Sequence, residues 1–291
     1  MHEPVLLGEV IRLLEPRPDG VYVDATLGGG GHAEAILEVS APTGVLIGLD
    51  RDGRALQEVA GRLARFGDRA RLVHGSFAEL RRHLAGQGRS EVNGILADLG
   101  LSSNQLADRA RGFSFRVEAP LDMRFDTSGG ETAADLVNRL SERELADLLY
   151  AYGDERRSRA IARRILARRP LHTTWELSRA VGSVLGRGRR GSIDPATRTF
   201  QALRIAVNQE LVALESLLAE GPALLARCGR MLVISYHSLE DGLVKTAFRD
   251  RARGGEFRLL TAKPQRPSPE EVRRNRRARS ARLRALERVA A

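Results

Sequence analysis

Val21-Tyr22-Val23-Asp24-Ala25-Thr26-Leu27-Gly28-Gly29-Gly30-Gly31-His32 runs from a short apolar segment through an acid into four consecutive glycines and then a helical pattern. Side chains at the glycine positions would keep a ligand away from the backbone, and some of these positions are expected to need positive φ. The helical stretch from His32 to Val39 offers N–H groups without intrahelical acceptors at its start. A second apolar run, Gly44 to Leu49, ends at Asp50, about 20 residues beyond the loop, where a carboxylate can accept from both hydroxyls of a ribose. A turn with no ligand is the competing reading, although four glycines in a row carry a large backbone-entropy cost.

Two ligands suit this arrangement. Gly28, Gly30 and Ala33 satisfy the dinucleotide pattern G-x-G-x-x-G/A. Asp24 points the other way, because a carboxylate just before the loop repels a pyrophosphate but pairs with the ammonium of S-adenosylmethionine (SAM). The absence of strand signals where a second mononucleotide half should follow also favours SAM.

Around this stretch, Val21–Val23, Gly44–Leu49, Ala70–His74 and Asn93–Ala97 read as four strands separated by helical patterns, among them Ala55–Phe66. Strands alternating with helices imply an α/β fold with a doubly wound, mostly parallel, Rossmann-like sheet. Right-handed crossovers then gather the strands' C-terminal ends on one edge, where ligands bind. From Glu131 to about Leu185 the pattern is helical, with capping boxes at Ser141/Glu144 and Thr173/Glu176 and a break at Gly153. Gly186 to Gly191 reads as a basic loop, and Asp194-Pro195 as the start of another long helix. A strand returns only at Arg230–Ser235. The expectation is an all-α domain, residues 106–207, inserted into a ligand-binding domain made of residues 1–105 and 208–291.

The net charge is +10, and residues 249–291 alone hold 14 Lys or Arg against 5 Asp or Glu. Such a tail suits a polyanionic partner through phosphate contacts, and Lys263 to Pro269 reads as a Pro-punctuated linker leading into it. The alternatives are a merely solvated tail, or a terminal helix packed through Leu283 and Leu286. The N-terminus lacks the basic region of a secretory signal, and no run approaches the ~20 apolar residues of a membrane span. The single Cys228 cannot form an internal disulfide, which agrees with a reducing, cytoplasmic setting. The six histidines show no metal-ligand spacing, so no metal is expected.

The fourth strand leads into Asp98-Leu99-Gly100-Leu101-Ser102-Ser103-Asn104-Gln105. Enzymes that methylate exocyclic amines place a polar residue here, although ordinary strand-end capping gives the same residues. Further blocks follow in order: Arg111-Gly112-Phe113-Ser114-Phe115, Pro120-Leu121-Asp122-Met123-Arg124-Phe125-Asp126, Arg198-Thr199-Phe200-Gln201-Ala202-Leu203-Arg204-Ile205 with Val207-Asn208, Ile234-Ser235-Tyr236-His237-Ser238-Leu239-Glu240-Asp241, and Arg277-Ala278-Arg279-Ser280 with Leu283-Arg284. The set resembles, from end to end, the family of ribosomal RNA small-subunit methyltransferase H, the 16S rRNA cytosine-N4 methyltransferases.

That resemblance implies SAM as cofactor, held by Gly30, Gly31, His32, Asp50, Phe77, Asp98 and Gln105. Phe77 by itself reads first as core, although its ring could also stack on an adenine. Asn104 and Arg276 stand where family members usually have Pro. The implied substrate is a cytosine in the decoding region of 16S rRNA, on an assembled or nearly assembled small subunit, with the helical insertion recognising it. The oligomeric state stays open.

A cytosine amine is a weak nucleophile whose lone pair is delocalised into the ring. Alignment supplies much of the catalysis, and an acceptor beside the amine localises the lone pair and takes the proton. Asp98 is the first candidate and His237 the second, since Ser235–Ser238 follows the fifth strand on the same sheet edge. The base must leave its stack to reach such a site. The alternatives are an amine methyltransferase acting on another RNA or on DNA, or a non-catalytic ribosome assembly factor. Intact acids at Asp24, Asp50 and Asp98 argue against the last.

Overall fold

The computed structural model describes residues 4–102, 105–106, 108–186 and 194–289. Along the chain run α1 (Leu7–Leu14), β1 (Val21–Asp24), α2 (Gly31–Val39), β2 (Val45–Asp50), α3 (Gly53–Leu63), β3 (Ala70–His74), α4 (Leu80–Gly86) and β4 (Val92–Asp98). Further on come α5 (Ala133–Arg139), α6 (Glu142–Gly153), α7 (Ser158–Leu166), α8 (Thr174–Leu185) and α9 (Thr197–Asn208). The chain then forms α10 (Glu210–Glu220), β5 (Leu225–Ser235), α11 (Ser238–Arg253), β6 (Phe257–Leu259), α12 (Pro269–Arg274) and β7 (Arg282–Arg288). Two compact units result, one from Met1–Ser103 with Leu211–Ala291 and the other from Asn104–Glu210.

The first unit holds one seven-stranded sheet in the order β3-β2-β1-β4-β5-β7-β6. The first five strands pair in parallel, and β7 is antiparallel to both of its neighbours. Strand side chains alternate between two apolar layers, as the period of two requires. Ile47, Leu49, Ile95, Ala97, Met231, Val233 and Leu286 join Leu84, Leu214, Val244 and Phe248 in one layer. Leu46, Leu96, Leu232, Ile234, Leu283 and Ala285 join Val10, Ile36 and Val59 in the other. With both faces covered, the central strands read as unbroken apolar runs, which is why they stand out in the sequence.

The C-terminal segment departs from its expected form. Leu283 and Leu286 lie in a strand and not in a terminal helix, and the segment is folded into the first unit. Both leucines are fully buried in β7, which lies inside the sheet between β5 and β6. Part of its charge is spent within the fold. The Arg284 Nε donates to Asp241 Oδ1 at 2.7 Å and the Arg282 Nη1 to Asp241 Oδ2 at 2.9 Å. Glu287 is clasped by Arg230 and Arg258, and Arg288 reaches the Leu225 carbonyl at 2.6 Å. Arg277 donates to the carbonyl of Leu101.

The second unit is helical. Both expected capping boxes are present, together with one at Thr132/Asp135 that was not read from the sequence. Leu136, Leu145, Leu149, Ile161, Ile165, Leu177, Val181 and Leu203 form its buried apolar set. The helix expected at Asp194 begins later, at Thr197, and Asp194 instead accepts from the Ala196 N–H in the turn before it. The basic loop beyond Gly186 lies outside the described residues, as do Ser103 and Asn104.

Several of the blocks that carried the resemblance hold one loop of this unit in place. Asn208 is buried and accepts from the Phe125 N–H at 2.7 Å while donating to the Met123 carbonyl at 2.7 Å. Arg111 donates to the carbonyls of Arg124 and Phe125 at 2.9 and 2.7 Å. Gly112 has φ 68°, and a Cβ there would lie 2.2 Å from the Pro120 carbonyl oxygen, so backbone packing excludes any side chain.

Candidate active site

Asp24 ends β1, Asp50 ends β2 and Asp98 ends β4, so the parallel order brings three acids to one edge of the sheet. The Thr26 Oγ1 accepts from the Asp98 N–H at 2.6 Å, which ties the loop after β1 to the end of β4.

Asp24 is 1% exposed and accepts from the Thr26 N–H at 3.2 Å. Burial is the main cause that raises its pKa, from 3.8 to about 6; Asp98 and Asp50 push the same way, while His32 and the Thr26 N–H oppose. A folded-state value above the unfolded one means that this group stabilises the fold at low pH, and that the contribution is lost as pH rises from about 4 through 6. Asp24→Asn should therefore gain stability relative to the wild type across that window, by up to about 3 kcal/mol. Urea melts at pH 4 and pH 7 check this, and a difference between the two proteins that does not change with pH would contradict it.

Asp50 is oriented by backbone donors. Its Oδ2 accepts from the Gly28 N–H at 2.8 Å and its Oδ1 from the Asp52 N–H at 2.9 Å. Burial raises its pKa, against those N–H groups. These bonds, with a further one from the backbone of Arg51, hold the carboxylate in a fixed orientation at the sheet edge.

The glycines turn out to serve different ends. Gly30 has φ 74°, and a Cβ there would come within 2.6 Å of Val59 Cγ1, while one on Gly31 would come within 2.4 Å of Pro4 Cγ. Packing alone thus requires these two. A Cβ on Gly29 would meet nothing within 4 Å, so packing within the chain does not require glycine there.

His32, in the first turn of α2, is buried. Its Nε2 lies 2.9 Å from the Val5 carbonyl, which holds the ring with Nδ1 facing Asp98 Oδ2 at 3.8 Å. Asp98 accepts the Tyr236 hydroxyl on Oδ1 at 2.7 Å, and its side chain is 23% exposed. Burial raises the Asp98 pKa, with Glu240 adding to it and His32, the Tyr236 hydrogen bond and Arg277 opposing. Burial and the Asp98 charge push the Tyr236 phenol well above its ordinary value.

Tyr236 was not among the candidates from the sequence. Asp98 pairs with Ile234 across β4 and β5, and Tyr236 follows two residues later, so the contact depends on strand register. His237 does something else: its Nδ1 accepts from the Glu240 N–H at 3.4 Å, and Glu240 returns the bond to the His237 N–H, making a capping box for α11. Its Nε2 lies 3.1 Å from the Glu240 carboxylate. Phe77 starts the turn after β3, half-buried against the apolar layer that includes Leu80 and Leu84. Gln105 falls in the helical unit, where it is buried.

The comparisons with known proteins agree with this geometry. A family model described as the MraW methylase family matches residues 1–289. The chain belongs to that family. Among its relatives, the ribosomal RNA small subunit methyltransferase H of Sorangium cellulosum is 55% identical over 291 residues, covering 99% of this chain and 91% of that protein. Proteins of the same name from Thermomicrobium roseum and Geotalea uraniireducens are 51% and 49% identical, covering 99% of this chain and 94% and 98% of their own lengths. As a member of the MraW methylase family, the chain combines this acid-lined sheet edge with a separate helical unit of about a hundred residues, Asn104–Glu210.

Proposed function

We propose that this protein transfers a methyl group from SAM to the N4 amine of a cytosine in the decoding region of 16S rRNA, on the assembled or nearly assembled small subunit in the cytoplasm. The observation that carries the reading is Asp98: a desolvated carboxylate at the sheet edge beside the glycine loop, fixed through one oxygen by Tyr236.

The residues present fit SAM. Asp24 supplies an anion for the ammonium, and Asp50 two oriented oxygens for the ribose hydroxyls. Phe77, half-buried against the apolar layer, is the ring we read as the adenine's neighbour, and Gln105 is carried to the same ligand by the family resemblance alone. Bound SAM supplies a methyl group already activated by its sulfonium.

The chain's own residues do the rest. Tyr236 fixes the Asp98 carboxylate, whose raised pKa suits it to accept an amine proton. His237, engaged in its cap, ranks behind Asp98 as the proton acceptor. Transfer to cytosine C5 would call for a nucleophile that adds to the ring, and the chain's one cysteine, Cys228, sits near the opposite end of β5 from Ser235.

Asp50→Ala should weaken SAM binding by about 1–3 kcal/mol, the worth of its hydrogen bonds to hydroxyls. Calorimetry measures it directly; a folded variant with unchanged affinity contradicts the cofactor site. Labelled methyl transfer should reach isolated small subunits. Label appearing on DNA instead, or on nothing, would point to another amine substrate or to an assembly factor without catalysis.

A further inference from the structure

We propose that the helical unit carries a binding surface for single-stranded RNA in the concavity between the end of α6 and the start of α7. The inference rests on the reading that the substrate is RNA, but it uses none of the residues assigned to methyl transfer.

Residues 156–169 contain seven arginines and no acid. Three of the seven are engaged within the fold. Arg169 donates to the carbonyls of Val137 and Leu140, Arg164 to the Ser183 hydroxyl at 2.9 Å, and Arg163 to Glu142 at 3.4 Å. The side chains of Arg156, Arg157, Arg159 and Arg168 are exposed and have no ion pair among the described residues. α7 buries Ile161, Ala162 and Ile165, so Arg159 lies on its other side.

Arg156, Arg157 and Arg159 line a cavity of about 540 Å³ together with Asp147, Tyr150 and Ser158. Tyr150, on α6, is 62% exposed, more than any other large apolar or aromatic side chain described. Asp147 is the one acid in the lining, and Arg143 lies 3.8 Å from it. The volume falls within the ~300–1,000 Å³ of small-ligand sites, enough for a nucleotide but not for a duplex.

Guanidinium groups beside a solvent-facing ring match the two parts of an unpaired nucleotide: phosphates for the arginines and a base face for the phenol. An acidic peptide would use the arginines but leave the ring without a partner. The C-terminal segment, by contrast, has turned part of its charge inward.

The test is fluorescence anisotropy of the full-length protein with a labelled single-stranded RNA oligonucleotide across a salt series. The variants are R156Q/R157Q/R159Q, Y150A and Y150F, with melting temperature and SAM calorimetry confirming that each is folded. The triple variant should flatten the slope of log K against log[salt] by about 2, at roughly 0.7 per phosphate contact on single strands. Y150A should lose roughly five- to hundredfold in affinity at every salt concentration, and Y150F should bind like the wild type, because stacking needs only the ring. Unchanged slope and affinity in these variants overturn the proposal, and so does a labelled polyglutamate peptide that binds there more tightly than RNA. The assay reads binding without methyl transfer. RNA held through this surface by a protein that methylates nothing would sink the proposed function alone, while active methylation with unaltered oligonucleotide binding in all variants would sink only this surface.

Discussion

Asp98→Asn should stay folded and transfer methyl groups at least a hundredfold more slowly than the wild type. A positioned proton acceptor contributes typically ~10²–10⁴ in rate, and an amide cannot take the amine proton. Stability should move the other way or not at all. The wild-type carboxylate is desolvated with a raised pKa, so near neutral pH its charge costs the fold something that the neutral amide does not. Single-turnover rates at saturating SAM, with the melting temperature of the same samples, separate the two effects. A rate within about tenfold of the wild type, or 1.4 kcal/mol of barrier, would remove Asp98 from the chemistry.

The largest loss of stability is expected from Asp241→Ala. Asp241 and Arg284 are 8% and 7% exposed, and the substitution leaves a buried guanidinium on β7 without its partner. Removing one member of a buried pair costs about 3–5 kcal/mol, and replacing Arg284 by Met as well should recover much of that. Burial alone would raise the Asp241 pKa, but hydrogen bonds and charge from Arg284 and Arg282 outweigh it and hold the carboxyl below its ordinary value. A depressed folded-state pKa means that the pair's contribution is present above about pH 4 and is lost as pH falls through the lower folded value. Urea unfolding at pH 7 should show the full cost in the single variant. A cost under about 1 kcal/mol would mean that the pair does not hold β7 in place.

Why the sequence reveals some of this and hides the rest follows from how each element is buried. Strands β1, β2 and β4 are covered on both faces, so their side chains are mostly apolar and the acids that end them stand out. In β7 the residues Arg282, Arg284, Glu287 and Arg288 satisfy their charges against Asp241, Arg230, Arg258 and Glu91. Its composition therefore resembles a solvated tail, and only the tertiary partners make it a strand. β6 is three residues long, too short for a pattern to show.

The site divides in the same way. Asp24, Asp50 and Asp98 are legible because strand ends and a glycine loop are local signals. Tyr236 is not, because its bond to Asp98 crosses from one strand end to another. His237 draws attention by its chemistry, yet it occupies the place of a capping Ser or Thr, three residues before a glutamate.

The central claim is the transfer of a methyl group to a cytosine amine of 16S rRNA, and it is tested most directly by the nucleoside that becomes labelled. Small subunits from cells lacking this protein should be incubated with it and labelled SAM, and their rRNA digested to nucleosides for mass spectrometry. The account predicts label in N4-methylcytidine from 16S rRNA, lost when Asp98→Asn replaces the wild type. Label in 5-methylcytidine, or no label in 16S rRNA, would contradict it.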